Sequence, residues 1–163
     1  VTAVLEFQSA SLSFGDRVLW SDLSLAISAG EFIAVLGPNG TGKTSLLKAV
    51  LGEQHLSSGS ISLLGEPVHH GDRRIGYIPQ QKLIETGTPL RARDLIALGL
   101  SGHRWGLPIS TRDERARVDE LLAAVGATSF ANAPISSLSG GEQQRVRVGQ
   151  SIAADPVLLL CDE

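Results

Sequence analysis

Apolar residues change their spacing several times along the chain, and each change predicts an element. Alternation with β-branched residues predicts short strands near Val4–Phe7 and Leu23–Ile27, with Ala29-Gly30 as a turn. Glu31–Leu36 (EFIAVL) is almost continuously apolar, the pattern of a parallel strand buried on both faces. A glycine-rich stretch follows, then Lys43–Leu51, where Leu46, Leu47 and Val50 recur at helical spacing. Two more strands are predicted at Ser60–Leu64 and Arg74–Ile78. From Arg91 the period becomes helical, through Leu95, Ile96 and Leu98, then Val118, Leu121, Leu122 and Val125. Gly126 is the expected stop of that second helix. A last helix should start at Ser139–Glu142 and run to Ala154, ended by Asp155-Pro156. Val157–Cys161 then reads as a buried strand, with Cys161 as a core residue.

The result is an α/β fold: a β-rich start, a nucleotide-type core and a helical insert over about 81–138. Composition narrows it further. The 163 residues suit one sizeable domain, with 42% hydrophobic and 19% charged residues. A net charge of −3 excludes a broadly basic protein that coats nucleic acid. The apolar runs are far shorter than the ~20 residues of a bilayer crossing. A single cysteine excludes an internal disulfide and suits a reducing, cytoplasmic setting. The four histidines show no metal-ligand spacing, and His69-His70 reads as a surface turn. The mixed-sign run Arg112–Glu120 reads as a solvated helix face.

Two stretches carry chemistry. Gly37-Pro38-Asn39-Gly40-Thr41-Gly42-Lys43-Thr44 fits the phosphate-loop pattern, between a predicted strand and a predicted helix, and with the adjoining Ser45 makes the candidate nucleotide-binding stretch. Its glycines let backbone N–H groups turn onto phosphates, and the helix N-terminus adds its positive end. Lys43 is placed for the β- and γ-phosphates and the Thr44 hydroxyl for Mg²⁺. Leu138-Ser139-Gly140-Gly141-Glu142-Gln143-Gln144-Arg145 begins 94 positions beyond Thr44. Ser139 with Glu142 makes a capping box. Two glycines in a first helical turn are unexplained by capping and suit close approach of an anion.

That octet resembles the signature of ATP-binding-cassette (ABC) proteins, LSGGQ followed by a basic residue, with Glu142 in the glutamine's place. The resemblance extends over essentially the whole chain, 1–163, as a single ABC ATPase domain. It implies a P-loop NTPase (RecA-like) core with an N-terminal antiparallel β subdomain and an inserted α-helical subdomain. Arg74–Gln80 (RIGYIPQ) is similar to the family's Q-loop strand, making Gln80, or its neighbour Gln81, the glutamine that reaches Mg²⁺ and the attacking water. Val157–Glu163 (VLLLCDE) is similar to Walker B, which implies Asp162 for Mg²⁺ and Glu163 for polarising the water. Phe14 stands where the family places an aromatic on adenine.

The resemblance also implies a head-to-tail, ATP-closed homodimer in which Ser139, Gly140, Gly141 and Glu142 face the opposite subunit's nucleotide. It implies an integral membrane permease as partner, an extracytoplasmic solute-binding protein indirectly, and a peripheral place on the cytoplasmic face of the membrane. Arg93–Gly99 and Ser101–Gly106 resemble a segment of importer cassettes for Zn²⁺, Mn²⁺ or iron chelates. An ABC-type ATPase acting on nucleic acid or ribosomes is the competing reading; the short spacing and lack of heptads oppose its repair forms. A third is nucleotide binding without turnover, which Glu163 opposes. Gly149-Gln150-Ser151 replaces the family's usual Ala-Arg-Ala, a departure that bears on helix packing. The chain stops directly after the Walker B-like run, before any switch histidine. It is therefore expected to be C-terminally incomplete and a poor ATPase as given.

Overall fold

The computed structural model describes residues 3–80, 90–102 and 111–162. Gln81, His103–Gly106 and Glu163, all singled out above, lie outside the described residues. The chain forms two compact units, Val1–Ile75 and Gly76–Glu163.

The first unit is built on an antiparallel sheet. β1 (Ala3–Phe14) and β2 (Arg17–Ser28) form one long hairpin, where alternation alone predicts two short strands. The ladder shifts register several times, and Ser9 and Asp22 take positive φ of 43° and 50°. These bulges scramble the period-2 pattern, so the strands outrun their sequence signal. β3 (Ser58–Leu63) pairs with β1, setting Leu5 against Leu63 and Phe7 against Ile61, all buried. β4 (Glu66–Pro67) closes the order β2-β1-β3-β4. α1 (Lys43–Val50) follows the glycine-rich loop and buries Ala49 and Val50. His69 and His70 are exposed, as the turn reading has them. Arg74 ties the loop before it to β4, at 2.7 Å from Asp72 and 2.6 Å from Glu66.

Glu31–Leu36 corrects the sequence reading: no strand forms there, and Phe32 and Leu36 are 92% and 90% exposed. An apolar run becomes a strand only when neighbours complete its hydrogen-bond ladder. Among the described residues none pairs with this one.

In the second unit, α2 (Ala92–Ser101), α3 (Arg112–Ala124) and α4 (Gly140–Ser151) share one apolar core. Leu95, Ile96, Val118, Leu121 and Leu122, predicted from their spacing, are all buried in it, with Val146 of α4. Gly126 ends α3 at φ 67°, as expected. The run Arg112–Glu120 is mostly exposed, and Arg117 pairs with Asp155 and Glu120. α4 stops at Ser151, three residues before the predicted end. The departure at Gly149 has a structural reason. A Cβ there would lie 2.9 Å from Ile96 Cδ1, so a larger residue would have to displace that buried side chain of α2.

β5 (Ile75–Ile78) and β6 (Leu158–Cys161) form a two-stranded sheet. Its cover is partial. Leu160 is buried, while Leu159 and Cys161 are exposed, which corrects the reading of Val157–Cys161 as a buried strand and of Cys161 as core. Successive side chains on a strand face opposite ways, and only one face of this pair is covered.

Candidate functional site: a phosphate loop and a glycine-led helix

In the first unit, the segment between Leu36 and α1 is a tight loop. Gly40 and Gly42 take φ of 83° and 95°, values that side-chain-bearing residues rarely adopt. Gly42 is also hemmed in, since a Cβ would meet Leu19 Cβ at 3.2 Å and Trp20 Cδ1 at 3.3 Å on β2. The loop is cross-braced from within. Thr41 Oγ1 donates to the Pro38 carbonyl at 2.9 Å. Lys43 Nζ donates to the carbonyls of Gly37 at 2.6 Å and Pro38 at 2.9 Å. The lysine's charge is thus folded over the loop it follows.

α1 opens on this loop with Lys43, Thr44 and Ser45 in its first turn. That turn holds no acidic residue and no side-chain cap, whereas the first turns of α2, α3 and α4 each carry an acid. The first turn of α1 thus carries no acid of its own against the helix's positive end, a composition that suits an anion. Phe14 ends β1, half exposed rather than in the core, and pairs with Arg17 across the hairpin turn. Sequence reasoning missed Arg17, whose Nη2 donates to the Gly40 carbonyl at 2.9 Å. No spacing rule ties a hairpin residue to a loop 23 positions on; only the fold brings them together.

In the second unit, Ser139 caps α4 as expected. Its N–H and hydroxyl both donate to Glu142 Oε2, at 2.8 and 2.7 Å. The hydroxyl bond, then the backbone bond, holds the Glu142 carboxyl below the usual glutamate range. Gly141 faces open space, where a Cβ would meet nothing within 4 Å. Gln143, the one polar side chain among the buried described residues, donates to the carbonyls of Ile135 and Leu138 at 3.1 and 3.2 Å. It pins the turn that delivers Ser139. Gln80 is exposed, just past β5. Asp162 follows β6; its N–H donates to the Ile78 carbonyl at 2.9 Å, and its carboxylate accepts from the Tyr77 hydroxyl at 3.4 Å.

The loop's donors, its lysine and an acid-free helix start suit a polyphosphate. Each unit by itself carries oxygen atoms of the hard kind Mg²⁺ takes, Thr44 in the first and Gln80 and Asp162 in the second. No described group of three or more His, Cys, Asp and Glu is placed to hold a metal ion. No described helix is long and apolar enough to cross a membrane.

A family model described as ABC transporter matches residues 20–163. The chain is 36% identical, over 90% of its length, to the zinc transport system ATP-binding protein TroB of Treponema pallidum, covering 54% of that protein. It is 34% identical, over 99% of its length, to a Nod factor export ATP-binding protein I of Burkholderia lata, covering 52% of it. The chain thus spans about half the length of these curated relatives. The solved structure of cbiO1 from Clostridium perfringens, part of the ABC transporter complex cbiONQ, superposes with a TM-score of 0.83. That match is 23% identical and covers the whole of this chain and 66% of the other, which carries the fold.

Proposed function

We propose, since this chain belongs to the ABC transporter family, that it binds Mg-ATP and hydrolyses it to drive a membrane permease. The observation that carries the reading is the loop Gly37–Thr44, with left-handed glycines at 40 and 42 and a helix start free of acidic residues. In this reading the loop's N–H groups take the phosphate oxygens. Lys43 exchanges its loop carbonyls for the β- and γ-phosphates, and Phe14 takes the base. Thr44, Gln80 and Asp162 would be the oxygen donors for Mg²⁺, which would supply charge neutralisation at the transferred phosphoryl group. Glu163 orients and polarises the attacking water.

Ser139, Gly140, Gly141 and Glu142 face the nucleotide of a second subunit in a head-to-tail homodimer, giving a γ-phosphate a second helix N-terminus. The protein sits on the cytoplasmic face of the membrane against its permease. The solute we propose is a metal ion or metal chelate taken up through a solute-binding protein. The support is the Arg93–Gly99 segment and the similarity to a zinc transport subunit. The opposing case is the similarity to a Nod factor export subunit.

The test is calorimetric titration of the chain with Mg-ATP. Lys43→Ala should weaken binding at least about tenfold, the loss of a charge-assisted phosphate contact. Equal affinities would remove the assignment. Solute class is read from uptake of Zn²⁺, Mn²⁺ and iron chelates by cells lacking the gene; unchanged uptake of all three would turn the reading toward an organic solute.

A further inference from the structure

We propose that Arg17 is a positioning residue of the phosphate loop: it holds the Gly40 carbonyl on the outside and so aims the next amide inward. This rests on the nucleotide-binding reading of Gly37–Thr44. A trans peptide is planar, and its C=O and N–H point in opposite directions. The Gly40 carbonyl and the Thr41 N–H belong to one such plane. A donor fixed on that carbonyl therefore fixes the direction of that N–H. Arg17 Nη2 is such a donor, at 2.9 Å.

The plane needs an anchor. Gly40 sits at φ 83°, and a glycine has the freedom to turn its peptide the other way at little cost. Thr41 Oγ1 is spent on Pro38, and Lys43 Nζ on Gly37 and Pro38. Lys43 must leave those carbonyls to meet a phosphate, whereas Arg17 stays in place when the nucleotide arrives. The anchor is also on a firm base, because Arg17 is the first residue of β2 and pairs with Phe14 across the hairpin turn. β2 packs Leu19 and Trp20 against Gly42, so the same strand braces the loop at two points. Part of the loop's binding power is therefore prepared before any ligand binds.

The experiment compares the full chain with Arg17→Ala, Arg17→Lys and Lys43→Ala, titrated with ATP and with inorganic tripolyphosphate. Arg17→Ala should weaken both ligands by about fivefold, the size of a charge-assisted hydrogen bond thinned by solvent. Arg17→Lys should recover part of the loss, and the melting temperature should not move. In ¹⁵N spectra the Thr41 amide of ligand-free Arg17→Ala should shift, and its response to tripolyphosphate should shrink. Unchanged affinity in Arg17→Ala, with binding lost in Lys43→Ala, would overturn the inference and leave the loop assignment standing. Unchanged affinity in both would remove the loop assignment itself. A loss for ATP without a loss for tripolyphosphate would move Arg17 to the base or ribose and overturn its role at the phosphates. So would a lowered melting temperature that accounts for the lost binding.

Discussion

Gly99→Ala should destabilise the helical unit, although alanine is the better helix former. Gly99 lies in α2 facing α4, and a Cβ there would stand 2.3 Å from the Gln150 carbonyl oxygen and 2.9 Å from Ala153 Cβ. Carbon contacts settle near 3.5 Å, so the first overlap is about 1 Å, and it is with backbone. No side chain can swing aside. Either α2 moves off α4 or the overlap stays as strain, and the surrounding core has no slack: Ile96 and Val146 are 0% exposed. The helix-propensity gain is about 0.8–1 kcal/mol. Overpacking costs about 1–3 kcal/mol, with the upper end apt where backbone is the obstacle. The net expectation is a loss of about 1–2 kcal/mol. Urea unfolding followed by far-UV circular dichroism reads it as a lower midpoint at unchanged slope. Gly141→Ala is the control, since its Cβ meets nothing within 4 Å; it should be neutral or stabilising by a few tenths of a kcal/mol. A Gly99→Ala variant as stable as the Gly141→Ala control would refute the close α2–α4 packing. Because α4 begins at the Ser139 cap, the same variant should weaken ATP-driven dimerisation in the proposed assembly.

Replacing Gln143 by Leu should cost about 1–3 kcal/mol in thermal unfolding, since it leaves the Ile135 and Leu138 carbonyls without their donor; a variant as stable as the parent would show that solvent replaces the amide. Asp72 should make the first unit acid-sensitive. Its hydrogen bond from the Arg74 side chain holds its carboxyl below the usual aspartate range. That stabilisation is complete above the unfolded pKa of about 3.9 and disappears as pH falls through the lower folded value. Melting curves of the parent and Asp72→Asn should therefore differ at neutral pH, begin to approach one another below about pH 4 and converge only once the pH lies below the lowered folded value; a difference that does not shrink at all on acidification would place the contribution elsewhere than the charge.

What the sequence determined by itself was local. Gly40 and Gly42 in the loop Gly37–Thr44 adopt left-handed turns, because backbone freedom belongs to the residue. The Ser139–Glu142 box and the Gly126 stop also formed as read, since caps are settled within a few positions. Leu95, Ile96, Leu121 and Leu122 face the core because a helix fixes its own apolar stripe. Strand burial was not legible in the same way. Glu31–Leu36 and Val157–Cys161 have nearly the same apolar character, yet the first forms no ladder and the second covers only one face. A strand's hydrogen bonds and cover come from distant chain, which composition does not encode. The long bulged hairpin was hidden for a related reason, as each register shift resets the alternation that marks a strand. Tertiary structure alone decided that Gly99 would let two helices touch, and that Arg17 would reach Gly40. Those contacts join residues tens of positions apart, where only packing sets the distance.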